Sequence, residues 1–151
     1  MAILALTTEE TRMKIHVNRI PPEGLRERVT YDPAALDMER DDIRLIRPFE
    51  VETFAILADQ ELVVEVGIRS ELHMMCARCL EAFDATLTPK ALFTYSVRPT
   101  DVVDIMDDVR QEIMLTYPMV PVCRPDCKGL CRSCGQNLNA GACSHEAAEA
   151  R

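Results

Sequence analysis

Residues 123–145 read CRPDCKGLCRSCGQNLNAGACSH and hold five of the chain's seven cysteines. This stretch constrains the fold more than any other, because large apolar residues nearly run out beyond Met119. Val120, Val122, Leu130 and Leu138 are almost all that remain. So little apolar surface cannot offset the conformational entropy of fixing roughly 25 residues. A short segment without its own core is held by cross-links, by a metal ion, or not at all.

Disulfides fit poorly. Seven cysteines leave one unpaired in any fully bridged scheme. The start of the chain, MAILALTTEETR, has an apolar patch from Ala2 to Leu6 with no basic residue before it, unlike a secretory signal. No apolar run approaches the ~18 residues of a membrane span. The expectation is a cytoplasmic protein without membrane contact. A reducing compartment disfavours structural disulfides and favours metal or redox use of thiols.

The cysteines fall into four pieces: Cys76-x2-Cys79, Cys123-x3-Cys127, Cys131-x2-Cys134 and Cys143-x-His145. A C-x2-C turn offers two thiolates to one ion from the same side, and two such pairs complete a tetrahedral Zn2+ site. Gly135, just after Cys134, suits a tight turn that needs positive φ. Two groupings satisfy these spacings. The first has two sites, Cys76/Cys79/Cys123/Cys127 and Cys131/Cys134/Cys143/His145, and uses every cysteine. It also ties the tail to the distant upstream pair. The second has one tail site, Cys127/Cys131/Cys134/Cys143, and leaves Cys76, Cys79 and Cys123 outside it. One or two zinc ions are therefore expected. Redox C-x2-C pairs sit at strand-to-helix junctions in βαβ units, whereas Cys76 and Cys79 lie between two alternating, strand-like segments.

Those segments are the clearest part of the remaining chain. In ELVVEVGIRSELHMMC, Leu62, Val64, Val66, Ile68, Leu72 and Met74 share one side at period two, and Glu61, Glu65, Arg69, Glu71 and His73 share the other. That is the pattern of an antiparallel strand with one wet face. Alternation resumes at Phe83, Ala85 and Leu87, then at Ala91, Phe93, Tyr95 and Val97. It is also present at Met13, Ile15 and Val17, at Leu25, Val29 and Tyr31, and from Phe49 to Leu57. YDPAALDMERDD reads as a turn followed by irregular chain or a short helix, and HEAAEAR as a frayed end. One helix is predicted in DVVDIMDDVRQEIMLTYP. Asp101 would cap it, and Val102, Ile105, Met106, Val109, Ile113 and Tyr117 would form its apolar face. The expected fold is α+β: a mainly antiparallel β-sheet, one packed helix and a C-terminal zinc-ribbon-like segment. Residues 1–120 would form the core with its C-x2-C hairpin, and 121–151 a cysteine-rich zinc-binding tail packed on it.

The formal net charge is −8, with the acidic excess between residues 48 and 109. A sequence-independent phosphate binder carries a broad basic surface, and this chain does not. Its local exception is Arg124, Lys128 and Arg132, opposed nearby only by Asp126. These three are candidate RNA or protein contacts. H-E-x-x-H, G-x-S-x-G and Gly-rich phosphate-loop motifs are all missing. All-thiolate metal sites leave no open position for water or substrate. A catalytic role and a small-molecule substrate are therefore not expected.

CARCLEAF, DIMDDVRQEIMLTYPMVPVC and DCKGLCRSCGQNLN, in that order, resemble the signature blocks of the YceD family, the large ribosomal RNA subunit accumulation proteins. In that family the position of Arg132 is often proline and that of His145 often cysteine. The resemblance implies a bacterial or organellar non-enzymatic assembly factor that promotes accumulation of 23S rRNA. Its metal would be a scaffold, and its partner large-subunit rRNA or a basic ribosomal or assembly protein. Two other classes remain: a zinc-ribbon nucleic-acid-binding regulator and a C-x2-C thiol oxidoreductase.

Overall fold

The computed structural model describes residues 13–36 and 43–145. The N-terminal apolar patch, residues 37–42 of the irregular stretch and nearly all of the HEAAEAR end lie outside them. Strands β1 (Lys14–His16), β2 (Leu25–Tyr31), β3 (Ile43–Leu45), β4 (Phe49–Ala58), β5 (Glu61–Met75), β6 (Ala82–Leu87), β7 (Lys90–Ser96) and β8 (Val102–Asp104) precede helix α1 (Met106–Thr116). Pro33–Leu36 forms a 3-10 turn. The fold is thus mostly antiparallel sheet with a single helix among the described residues.

β5 is the spine. Its first half pairs with β4 on one side and β7 on the other, and its second half with β3 and β6. β2 pairs with β4 at the sheet's outer side. Two prolines explain why one long strand has two partners on each side. Pro48 stands just before β4 and Pro89 just before β7. Neither has an N–H to donate, so each flanking ladder breaks there. The breaks lie opposite the same part of β5: Ile68 N–H donates to Pro89 O (3.0 Å), and Ile46 N–H to Glu71 O (3.3 Å).

Every second residue of β5 from Leu62 to Met74 is buried. This face packs with Phe49, Val51, Ala55, Ile43 and Tyr31 in one core. Met13, Ile15 and Val17, together with Ile105, Val109, Ile113 and Tyr117, complete that core. On the opposite face charges pair across strands. Arg28 meets Glu50 and Glu52, Arg47 meets Glu71, and His73 Nδ1 lies 2.7 Å from Asp84 Oδ1.

The helix begins later than the sequence predicts. Val102–Asp104 is a strand, paired with Lys14–His16 in a separate two-stranded ribbon. Asp101 does not cap the helix; its Oδ2 accepts the Arg98 N–H (2.8 Å) in a turn. Ile105 occupies the N-cap position without a side-chain cap, and Asp104 Oδ1 accepts the Met106 N–H (3.1 Å). Val102 is accordingly exposed, and Val103 faces the core instead. Two β-branched valines beside the unpaired β1 favour pairing over a further helical turn.

Candidate metal centre

Cys76-Ala77-Arg78-Cys79 turns the chain from β5 into β6, and Cys131-Arg132-Ser133-Cys134 turns a short loop back on itself. The two turns have one backbone pattern. Cys76 N–H donates to Glu81 O (2.8 Å) and Leu80 N–H to Cys76 O (3.0 Å). Cys131 N–H donates to Gln136 O (2.8 Å) and Gly135 N–H to Cys131 O (2.9 Å). Both turns close through a residue with positive φ, Leu80 at 59° and Gly135 at 74°. Glycine takes that conformation freely; leucine adopts it at a steric cost.

The cysteines and His145 collect into two groups of four: Cys76, Cys79, Cys123 and Cys127, and Cys131, Cys134, Cys143 and His145. Within each group the ligand atoms lie within 4.8 Å of one another, so each group can hold one metal ion. This is the arrangement in which all seven cysteines are used. Cys127 stands with the upstream pair and not with Cys131, unlike in the single-site grouping. The reason is tertiary: Ala77 N–H donates to Pro121 O (2.8 Å), which lays the segment after α1 along the β5–β6 turn.

In the first group Cys76 Sγ lies 3.9 Å from Cys127 Sγ, and Cys79 Sγ lies 3.8 Å from Cys123 Sγ. Four sulfurs placed about 2.3 Å from a tetrahedral centre are about 3.8 Å apart. A disulfide needs about 2.05 Å, so neither of these sulfur pairs is one. Cys76, Cys79 and Cys127 are buried, with Phe83 and Val122 packed around them. Cys76 Sγ accepts the N–H groups of Arg78 and Cys123, both at 3.4 Å. Burial pushes the Cys76 thiol up, but the amides of Cys79, Cys123 and Arg78 outweigh it and hold it at about 6. Burial also opposes ionisation of Cys127. The Asn139 side chain and the Gly129 amide still bring it below the usual thiol range. Cys123 is pushed up to about 12 by burial and by its sulfur neighbours. Thiols packed this closely do not all ionise unless a cation stands among them.

The second group is more open: Cys134 is exposed, and Cys131 and Cys143 are half-buried. Amides of Cys134 and Ser133 lower the Cys131 thiol to about 6. Beside it lies an open cleft of about 400 Å³, bordered by Lys128, Arg132, Ser133, Leu138 and His145. Arg124 Nε sits 3.5 Å from Asp126 Oδ1, and its Nη2 donates to Asn139 Oδ1 (2.9 Å). The side chains of Lys128 and Arg132 make no ion pair among the described residues. On the sheet's outer face, in contrast, Arg26, Arg28 and Arg47 sit beside carboxylates.

Two residues of this region carried no signal in the cysteine spacing. Arg78, inside the first turn, donates from Nη1 to Cys127 O (3.1 Å), and its own carbonyl accepts the Leu130 N–H (3.2 Å). Asn139 donates from Nδ2 to Cys127 Sγ (3.3 Å). Both act through chain segments distant in sequence, so only the folded chain exposes them.

Among the described residues no helix is long and apolar enough to cross a membrane. The family described as Large ribosomal RNA subunit accumulation protein YceD matches residues 90–151. An uncharacterized protein of Mycobacterium tuberculosis strain H37Rv is 41% identical over 81 residues, covering 42% of this chain and 38% of its own length. An uncharacterized protein of Mycobacterium leprae is 35% identical over 107 residues, covering 60% of this chain and 49% of its own. A Zea mays protein named Large ribosomal RNA subunit accumulation protein YCED homolog 1, chloroplastic, is 49% identical over 37 residues, 24% of this chain and 13% of its own. The matches span less than half the length of these relatives. No solved structure matches significantly. The YceD family model thus matches the C-terminal part of this chain, residues 90–151, which carries the whole second group and half of the first.

Proposed function

We propose that this protein is a non-enzymatic ribosome-biogenesis factor of the cytoplasm that promotes accumulation or maturation of large-subunit (23S) rRNA. The YceD match over residues 90–151 and the name of the maize relative support this reading. The observation that carries its structural half is the pair of four-ligand groups. Each takes one Zn2+: Cys76, Cys79, Cys123 and Cys127 at the first, Cys131, Cys134, Cys143 and His145 at the second. Thiolate and imidazole donors at tetrahedral spacing suit this ion. The ions are scaffolding. With residues 1–120 read as the core and 121–151 as the cysteine-rich tail, they order the described part of that tail, residues 121–145, and fix the loop that presents Arg124, Lys128 and Arg132.

These cations, above all Lys128 and Arg132, which make no ion pair among the described residues, are the contact for large-subunit rRNA. The sheet region between residues 48 and 109 carries the chain's acidic excess, which disfavours phosphate there. A basic ribosomal or assembly protein is the other partner consistent with a net charge of −8. The thiol-oxidoreductase reading is weaker, because each low-lying thiol sits in a four-ligand group and not at a strand-to-helix junction.

The test has two parts. Metal analysis of native protein with a free-thiol count is expected to return two zinc ions and no reactive cysteine. One ion with three reactive thiols would refute the two-site arrangement. In cells lacking the native gene, the wild-type chain is expected to restore mature 23S rRNA, and Cys131→Ser or the double variant Lys128→Glu/Arg132→Glu is not. Full rRNA restoration by the charge-reversed variant would rule out the basic loop as the contact.

A further inference from the structure

We infer that the two four-ligand groups are energetically coupled through Asn139, so that an ion at the first prepares the second. The inference rests on the two-site metal reading and concerns the order and linkage of loading.

Asn139 is not a ligand, yet it makes five hydrogen bonds. Its Nδ2 donates to Cys127 Sγ (3.3 Å) and to Asn137 Oδ1 (2.9 Å), and its N–H also donates to Asn137 Oδ1 (2.9 Å). Its Oδ1 accepts the Lys128 N–H and Arg124 Nη2, both at 2.9 Å. One carboxamide thus joins a sulfur of the first group to both sides of the loop that carries the second. That loop is a miniature hairpin. Leu130 bridges Asn137, Leu138 N–H donates to Gly129 O (2.9 Å), and the Cys131–Cys134 turn forms its tip. Its open end is fastened to the first turn at a second point, where Leu130 N–H meets Arg78 O. Gly129 at φ +78° permits that approach; a Cβ there would lie 3.1 Å from Arg78 O.

The geometry gives the linkage its sign. An ion at the first group fixes Cys127 Sγ, and with it the Asn139 Nδ2 that donates to that sulfur. Asn139 in turn holds Asn137 and the base of the hairpin. Cys131 and Cys134 are brought into register before any ion reaches them. Linkage is reciprocal, so an ion at the second group strengthens the first by the same factor. The first group is buried on the folded core and loads first; the second follows. Asn139 is therefore a positioning residue for both centres.

The experiment uses the full chain with Co2+ as a spectroscopic probe and Zn2+ under chelator competition. Outer-shell partners of metal ligands typically change affinity by about 10–100-fold. Cys76→Ser is expected to weaken the second centre at least about tenfold, although every ligand of that centre remains. Cys131→Ser should weaken the first by the same factor. Asn139→Ala and Asn139→Asp leave both ligand sets whole and guard against a misfolded Cys76→Ser. Asn139→Asp keeps the acceptor for Lys128 N–H and loses the donor to Cys127 Sγ. Both are expected to abolish the coupling and to reduce affinity at both centres, with sheet and helix circular dichroism unchanged. Two ions that load with unchanged affinities in Asn139→Ala would overturn the coupling alone. A chain that takes up no metal at either centre would overturn the metal reading with it.

Discussion

The sheet-and-helix core and the cysteine tail are held by different forces, and the difference shows in what each tolerates. In the core Leu62, Val64, Val66, Val109 and Ile113 are all fully buried, and burial of apolar surface stabilises the packing. The tail buries Cys127 and little else from Pro118 onward. Its order comes from backbone hydrogen bonds around sulfur, two positive-φ glycines and the Asn139 hub. A core built on burial changes by increments when atoms are removed. A region built on a few directional contacts around two groups that can each hold an ion changes all at once when those contacts are lost.

Removing metal separates the two regions most sharply. Structural zinc contributes on the order of 10–16 kcal/mol in small peptides. Chelation under reducing conditions is expected to release amide protection and open protease sites across residues 121–145, while β4 and β5 stay protected. Hydrogen exchange resolved by residue checks this. A tail that stays rigid without metal would erase the distinction between the regions.

The reverse experiment damages the core. Ile113→Ala removes a fully buried side chain and is expected to lower global stability by about 2–5 kcal/mol in denaturant unfolding. Zinc stoichiometry should remain at two ions below the transition. Loss of metal at concentrations where the sheet is still folded would show that the regions are not separable.

Two smaller effects sharpen the comparison inside each region. Leu80 closes the first turn at φ 59°, where Gly135 closes the second at 74°. Leu80→Gly relieves roughly 1 kcal/mol of steric cost, partly offset by greater freedom in the unfolded chain. A small rise in Tm, by less than the Ile113→Ala loss, is expected. Gly135→Ala should fall by a similar amount, since no neighbour lies within 4 Å and only φ opposes it. In the core, Ser70 Oγ is buried without a hydrogen-bond partner among the described residues, where the flanking ladders break near Pro48 and Pro89. Ser70→Ala is expected to be neutral or to stabilise by about 1 kcal/mol in thermal unfolding.

Much of this was legible in the chain. The alternation from Leu62 to Met74 announced the inner face of β5, and the alternations of Phe83–Leu87 and Ala91–Val97 announced the strands beside it. Both depend on neighbours one and two residues away, which sequence displays directly. The start of α1 was not legible. Val102 and Asp101 satisfy a helical pattern, and only the presence of β1 alongside makes the strand the better state.

The sequence by itself determined that residues 123–145 lack an apolar interior, that four ligand pieces exist at chelating spacings, and that a sheet with one wet face precedes them. Spacing along the chain sets these, because a C-x2-C turn is a local object. Only the tertiary structure decided that Cys127 stands with Cys76 and not with Cys131, and that Asn139 and Arg78 join the two groups. Those choices depend on where Pro121 and Leu130 lie against the β5–β6 turn. Contacts between segments 44 to 52 residues apart arise only after the core has packed.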